Sequence, residues 1–137
     1  MVQAFGRGDG GRRVGFLDGL LGHGSDLSAT DVDAQLQGVL TTGETVSVAF
    51  KLVRDLIVFT DRRMILVDKQ GLTGRKVSYL TIPYRAITSF SVENAGSFDL
   101  ESELKVWVSG RAEPIQKTLR RGADIMAIQQ AIAASIR

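Results

Sequence analysis

From Glu44 onward, apolar and polar residues alternate with a period of two, the pattern of β-strands that place one face in a core. The first such stretch runs from Val46 to Leu52. Because the connections between the runs are short, successive strands are expected to be antiparallel neighbours. The pattern predicts a mainly β protein of about seven antiparallel strands in a strongly bent or closed sheet. The further runs lie at residues 56–60, 64–68, 77–82, 86–94, 98–109 and 113–119.

Two amphipathic helices flank the predicted strands. Thr30 and Asp31 begin the first helix and Gly43 ends it, which predicts a helix over residues 31–40. The last helix begins near Gly122, and we expect it to pack across an open end of the barrel. The apolar stripes of these helices consist of Val32, Leu36, Val39 and Leu40 in the first, and of Ile125, Ile128, Ile132 and Ile136 in the last.

The runs at residues 56–60 and 64–68 are apolar at successive positions, so both of their faces need cover. One face belongs to the core. The other face, which includes Ile57 and Phe59, must be covered by a helix from the N-terminal part or by another subunit. Ile57 and Phe59 are therefore candidate interface residues.

The length of 137 residues fits one domain. Residues 1–13 are rich in glycine and arginine, lack periodicity and are predicted to be a disordered tail. Residues 14–43 are predicted to be an N-terminal helical segment. Residues 44–137 are predicted to form the barrel and its C-terminal helix, as one domain with residues 14–43.

The net charge of +2 comes from the tail, where Arg7, Arg12 and Arg13 outnumber Asp9. The rest of the chain is balanced, which argues against a nucleic-acid partner, since such a partner requires a basic folded surface. The chain has no cysteine, and therefore no disulfide or thiol nucleophile, which fits a cytoplasmic protein. No apolar run approaches the ~18 residues of a membrane span.

Four carboxylates occur within eleven positions on two predicted strands: Glu93, Asp99, Glu101 and Glu103. If apolar residues face inward, all four share the outer face, with Glu93 opposite or next to Asp99 or Glu101. A catalytic pair needs one acid that is desolvated and one that is not, and nothing in the pattern demands such burial. We interpret the acids as a solvated or interface-facing surface, with a metal or acid–base site as the alternative. No catalytic, cofactor-binding or metal-ligating residue is predicted, and His23 is the only histidine.

Trp107 falls on the same outer face as Glu103 and Lys105 if the alternation continues without a bulge. A large aromatic side chain that points away from a small barrel is typical of an interface anchor. The alternatives are a bulge that turns Trp107 inward or a helix that covers it. The candidate interface therefore comprises Trp107, Glu101, Glu103, Ile57 and Phe59.

Basic residues lie on the predicted turns, where they form either one anion-binding cluster or ordinary solvated charges balanced by Asp55, Asp61 and Asp68. The candidate anion-binding residues are Arg62, Arg63, Lys69, Arg75 and Lys76.

Two stretches resemble a known family: "RDLIVFTDRRMILVDKQGLTGRKVSYLTIPY" at residues 54–84 and "FSVENAGSFDLESELKVWVSG" at residues 90–110. They are similar to the bacterial pleckstrin-homology domain family. The resemblance implies a pleckstrin-homology-like barrel of seven antiparallel strands with a C-terminal helix, no enzymatic activity, and assembly into ring-like homo-oligomers. Phosphoinositide-binding members of the wider fold use a long basic first hairpin loop. The corresponding turn here, "LVRDL", is short, which argues against inositol-phosphate binding.

The sequence thus predicts a cytoplasmic, non-enzymatic binding or scaffold module that self-associates and requires no cofactor. Its expected partners are copies of itself, with another protein as a further candidate and no nucleic acid. The alternative is a peripheral membrane or anionic-lipid-binding adaptor, which would use the arginine-rich tail, the basic turns and four apolar side chains, Phe16, Leu17, Leu20 and Leu21. A hydrolase that uses the outer carboxylates is the third class.

Overall fold

The computed structural model describes residues 29–52, 54–93, 96, 101–120 and 124–136. The predicted tail, the segment at residues 14–22, His23 and Asp99 lie outside these ranges. The elements are α1 (Ala29–Gln35), β1 (Val46–Lys51), β2 (Leu56–Thr60), β3 (Arg63–Gln70), β4 (Lys76–Pro83), a 3₁₀ turn (Tyr84–Ala86), β5 (Ile87–Glu93), β6 (Ser102–Val108), β7 (Ile115–Leu119) and α2 (Ile125–Ser135). No helix in these ranges has the length and apolar character needed to cross a membrane.

The strands form two antiparallel sheets, one of four strands in the order β1-β2-β3-β4 and one of three in the order β5-β6-β7. This arrangement confirms the prediction of a mainly β fold with a C-terminal helix. The chain leaves the first sheet at Pro83 and passes through the 3₁₀ turn before β5 begins, which separates the two sheets. Pro83 lacks an amide hydrogen and therefore suits this last position of a strand.

Both faces of β2 are buried, as its apolar run predicts. Leu56, Val58 and Thr60 share one face, while Ile57 and Phe59 share the other. Ile57 and Phe59 are 1% and 0% exposed in the single chain. They therefore belong to the core, and the expectation that they form an interface with another subunit is corrected.

Phe59 lies at the centre of an aromatic cluster within this core. Its ring meets Phe50 edge-on at a centroid distance of 6.3 Å and stacks against Tyr84 at 6.4 Å. The hydroxyl of Tyr84 donates a hydrogen bond to the carbonyl of Thr60. The 3₁₀ turn that follows β4 is thereby attached to the end of β2.

Helix α1 ends earlier than its apolar stripe predicts. It stops at Gln35 rather than near residue 40, and a turn with Gly38 at φ 82° follows. A left-handed conformation cannot continue an α-helix, and glycine adopts it without a steric penalty. Val39 and Leu40 nevertheless pack against the core from this turn, so they satisfy the stripe without being helical.

Helix α2 begins close to its predicted position. The side chain of Asp124 accepts a hydrogen bond from the backbone amide of Ala127, which caps the first turn. Ile128 and Ile132 are buried, and the helix contacts β1, β2 and β5. It therefore packs against strands of both sheets, as expected for a helix that covers one opening between them.

Candidate functional site

The outer face of the three-stranded sheet carries two of the predicted contact residues, Trp107 and Glu103. In the observed register, Ser89 lies opposite Trp107, Ser91 lies opposite Lys105, and Glu93 lies opposite Glu103. Strand β7 extends the last two rows, since Gln116 pairs with Lys105 and Thr118 with Glu103. We call this surface the Trp107 face; it consists of Ser89, Ser91, Glu93, Glu103, Lys105, Trp107, Gln116 and Thr118.

Trp107 points outward and is 36% exposed. The register shifts between Ile87 and Ser89, so Thr88 is an extra residue in β5, and its hydroxyl donates to the carbonyl of Trp107 at 3.2 Å. A bulge is therefore present beside Trp107, but it lies in the partner strand and leaves the alternation of β6 intact. The inward orientation considered for Trp107 does not occur.

The carboxylates pair differently from the sequence-based expectation. Glu93 lies directly opposite Glu103, whereas the expected neighbours were Asp99 and Glu101. The amide of Gln116 donates to Glu103 Oε2 at 2.6 Å, and Glu101 is exposed. Within the described ranges, neither Glu93 nor Glu103 makes an ion pair, and no group of three acids or histidines could hold a metal ion.

Arg63 is not available for an external anion, which corrects its place among the candidate anion-binding residues. Its guanidinium contacts the buried carboxylate of Glu44 at two positions, Nε to Oε2 at 2.8 Å and Nη2 to Oε1 at 2.9 Å. It also donates to Thr81 Oγ1 at 2.7 Å and to the carbonyl of Val39 at 2.8 Å. Most of its donors are therefore used inside the chain, where Arg63 fastens the segment after α1 to the first sheet.

The environment of Glu44 favours its charged form. Burial alone would raise the pKa of this carboxyl, but hydrogen bonds from Arg63, the Thr60 hydroxyl and the Thr41 amide outweigh burial and lower the pKa to about 2. The same hydrogen bond to Glu44 raises the pKa of Arg63. The pair is thus a structural ion pair that is charged at neutral pH.

The predicted basic residues do not form one cluster. Arg62 is exposed at the turn between β2 and β3, whereas Lys69, Arg75 and Lys76 lie at the opposite end of β3. Since β3 has 8 residues, the two ends are roughly 23 Å apart. The expectation of one common anion site for all five residues is therefore corrected.

At the end of β3 that holds Lys69, the β1–β2 turn lies next to the β3–β4 turn. Arg54 Nη2 donates to the carbonyl of Gly71 at 2.6 Å, which connects the two turns. Lys117 of β7 pairs with Asp55 at 3.2 Å, and this ion pair connects the second sheet to the same place. A cleft of about 420 Å³ opens between them; its lining consists of Leu52, Arg54, Asp55, Asp68, Lys69, Gln116, Lys117 and Thr118.

Four notable residues are absent from the sequence-based candidates: Glu44, Arg54, Leu72 and Lys117. Leu72, at the tip of the β3–β4 hairpin, is fully exposed. The sequence could have indicated this exposure, because Leu72 lies between Gly71 and Gly74 in a predicted turn, and a leucine at a hairpin tip is too far from the core to be buried. For Glu44 and Lys117 no local signal exists, since their partners are distant in sequence.

Two antiparallel sheets of four and three strands, with a C-terminal helix packed on strands of both, define a pleckstrin-homology-like β protein. Residues 15–136 match the family model described as "Bacterial PH domain", and the chain belongs to that family. The resemblance seen in the sequence is therefore confirmed.

Two proteins of Bacillus subtilis strain 168 are similar to the chain. One, named YjqA and described as uncharacterized, is 55% identical over 122 residues, which are 88% of this chain and 98% of that protein. The other, YozO, described in the same way, is 30% identical over 95 residues, which are 69% of this chain and 81% of that protein.

Two crystal structures share the fold. A pleckstrin homology domain from Shewanella amazonensis SB2B has a TM-score of 0.71 and 51% identity, with 88% of this chain and 97% of that chain covered. A DUF1696 family protein with a pleckstrin-homology domain from Shewanella loihica PV-4 has a TM-score of 0.68 and 44% identity, with 80% of this chain and 93% of that chain covered. At these identities the two proteins resemble the chain in sequence as well as in fold.

Proposed function

We propose that the protein is a non-enzymatic binding module of the cytoplasm that self-associates through the Trp107 face. The observation that carries this proposal is the exposure of Trp107 on the outer side of β6. Trp side chains dominate the energy of many interfaces because they bury a large apolar area. Here the indole has polar neighbours in Ser89 and Lys105, which resembles the composition of an interface anchor with a polar rim.

The acids beside Trp107 support a contact with a cationic surface. Glu93 and Glu103 lie opposite each other, and within the described ranges neither makes an ion pair. Like charges in such a pair are destabilising. A neighbouring chain that brings a basic side chain to them relieves this repulsion, and exposed arginines such as Arg62 and Arg85 occur on other parts of the surface.

A contact between the Trp107 face of one copy and a different surface of the next copy favours a ring-shaped assembly. When the Trp107 face of one copy meets a different, basic surface of the next copy, the contact is head-to-tail, and such contacts close into rings if the rotation allows. An interface of this kind needs roughly 800 Å² from each partner to be stable. The Trp107 face spans three strands, so it offers a continuous surface for such a contact.

Sedimentation velocity at micromolar concentration tests the proposal. The wild-type chain should sediment as a discrete species larger than a dimer, and Trp107→Ser should shift it to the monomer. Tyr79→Ser is the matched control, because Tyr79 is also an exposed aromatic residue but lies on β4. A wild-type chain that is strictly monomeric would exclude self-association, and equal effects of the two substitutions would exclude the Trp107 face as its site.

A further inference from the structure

The outer face of β6 presents a fixed order of chemical groups. Trp107, Lys105 and Glu103 occupy every second position, so their side chains leave the same face about 7 Å apart. Glu93 lies directly opposite Glu103 and extends the acidic row. Trp107 is 36% exposed. Within the described ranges none of the three charged groups makes an ion pair, so the order along the strand is aromatic, cationic and anionic, with no internal partner for the charges.

The N-terminal tail, residues 1–13, has a complementary order of charges. Arg7 is followed two positions later by Asp9, and after two glycines by Arg12 and Arg13. Three arginines and one aspartate give the tail a net charge of +2, whereas the remaining residues are balanced. The tail lies outside the described ranges, and the family match begins after it, at residue 15. Membership of the family therefore does not account for this segment.

We infer that the tail lies across the Trp107 face of its own copy and shields the indole from water. In the matching register the guanidinium of Arg7 stacks on the ring of Trp107, because the face of an aromatic ring attracts a cation. Asp9 then meets Lys105, since two residues of extended chain span about 7 Å in the tail as they do in β6. Two successive charges of the tail thus meet attractive partners in the order in which they occur.

The end of the tail fits the acidic row of the same face. The two glycines that follow Asp9 give the backbone conformational freedom, so the next two side chains can adjust to the sheet. The arginines after them reach the carboxylates of Glu103 and Glu93. Like charges opposite each other destabilise a sheet, and the two guanidinium groups relieve this repulsion. Arginine suits this place because its planar group binds a carboxylate through two hydrogen bonds.

The length of the chain permits this contact within one copy. Residues 14–28 separate the tail from the start of α1 at Ala29 and can span up to roughly 50 Å. A domain of 137 residues has a radius of gyration of about 14 Å, so the tail can reach any side of it. A tethered segment has an effective concentration on the order of millimolar, which favours it over a copy present at micromolar concentration.

Binding of the tail does not require self-association, but its effect on assembly rests on the proposed function. If copies associate through the Trp107 face, the tail and the neighbouring copy compete for the same groups. Neutral substitutions in the tail should then promote assembly. The contacts are exposed and individually weak, so a high salt concentration should release the tail.

Quenching of fluorescence by acrylamide tests the inference, because Trp107 is the only tryptophan and the quencher is uncharged. The full chain is measured at a dilution at which it is monomeric. The combined change Arg7→Gln, Arg12→Gln and Arg13→Gln should raise the quenching constant about twofold, since weak contacts cover the indole for part of the time. Salt at about 1 M, where the Debye length is ~3 Å, should raise the wild-type constant to the same level.

The matched control removes three cations from another part of the surface. Arg62, Arg75 and Lys76 are exposed and belong to the four-stranded sheet and its turns. The combined change Arg62→Gln, Arg75→Gln and Lys76→Gln alters the net charge by the same amount as the change in the tail. It should leave the quenching constant at the wild-type value, so the comparison separates a contact of the tail from a general effect of charge.

An exchange of charges tests the pairing itself. Arg12→Glu with Arg13→Glu should raise the quenching constant, and the addition of Glu93→Arg with Glu103→Arg should restore the wild-type value. The inference is wrong if the tail variant and the control variant are quenched alike, if salt leaves the wild-type chain unchanged, or if the exchange restores nothing. A quenching constant that depends on protein concentration but not on the tail would assign the cover of the indole to a second copy. Sedimentation velocity separates the two proposals: a strictly monomeric wild-type chain excludes self-association and leaves the quenching result as it stands.

Discussion

The guanidinium of Arg63 lies against the carboxylate of Glu44 in a bidentate ion pair, with Nε 2.8 Å from Oε2 and Nη2 2.9 Å from Oε1. Glu44 precedes β1, and Arg63 is the first residue of β3. Because Arg63 also donates to the carbonyl of Val39, this one side chain holds the segment between α1 and β1 on the sheet. That segment lies over the face of β2 that carries Val58 and Thr60, since Thr60 donates to the same carboxylate at 2.7 Å.

Removal of Arg63 should destabilise the fold strongly. In Arg63→Met the carboxylate of Glu44, whose side chain is 0% exposed, would lose its cation while remaining buried. Loss of one partner of a buried pair costs about 3 to 5 kcal/mol, and we expect about 2 to 3 kcal/mol here because the Arg63 side chain is 21% exposed. Urea denaturation followed by circular dichroism measures the difference. Arg62→Met, an exposed neighbour, should change the free energy of unfolding by less than about 0.5 kcal/mol; equal losses would contradict the structural role of Arg63.

Stability should fall in acid because of Glu44. Its pKa is about 2 in the folded chain and near the ordinary value of 4.5 in the unfolded chain. A group whose pKa is lowered by folding stabilises the fold fully above its unfolded pKa, and this contribution is lost as the pH falls through 4.5 toward 2. The difference corresponds to about 3 kcal/mol. Free energies of unfolding measured across this pH range should show the loss, and Glu44→Gln should make the free energy of unfolding depend less on pH. If that variant keeps the wild-type slope of free energy against pH, the acid sensitivity belongs to other carboxylates.

The strands were predictable because their signal is local. The apolar run of β2, Leu56–Thr60, coincides with the predicted run, since a short continuous apolar run between two turns is visible within a few residues. The end of α1 was not predictable in the same way. Val39 and Leu40 continue a helical stripe, yet they reach the core from a turn, and only the tertiary path through Gly38 makes that possible.

The core position of Phe59 predicts a large loss of stability on truncation. Phe59→Ala would remove the ring that contacts both Phe50 and Tyr84 and would leave a cavity. Such changes cost about 3 to 5 kcal/mol. Trp107→Ala, measured under conditions where both variants are monomeric, should cost less than about 1 kcal/mol, because its indole is partly solvated. Thermal and urea unfolding compare the two; a small effect at Phe59 would return this residue to the candidate interface.

The candidate site was only partly predictable, since its partners are distant in sequence. Arg62 and Arg63 are adjacent and chemically identical, but Arg63 faces Glu44, 19 residues away, and Arg62 is exposed. The strand period alone could not assign one to the interior and the other to solvent, because they lie where the turn after β2 meets the start of β3. Trp107 differs in this respect: its place in an alternating strand indicated an outward orientation with an inward turn at a bulge as one alternative, and the bulge lies at Thr88 in the partner strand.

The pair of Glu93 and Glu103 predicts opposite effects on folding and on assembly. Glu103→Gln removes one of two like charges that lie directly opposite each other, so the monomer should gain about 0.2 to 1 kcal/mol, measured by urea denaturation in the Trp107→Ser background. The glutamine still offers an oxygen to the amide of Gln116, which preserves that hydrogen bond.

If the acids meet a basic surface of the next copy, the same substitution in the otherwise wild-type chain should weaken the assembly and reduce its sensitivity to salt. Glu113→Gln is the matched control, because Glu113 is an exposed acid in the turn before β7 and lies outside the Trp107 face. Sedimentation velocity at low and high salt gives the result. An acid that makes no contact in the assembly should not affect its stability. A Glu103→Gln variant that assembles like the wild type would therefore exclude the acids from the interface and leave Trp107 as its sole anchor on β6.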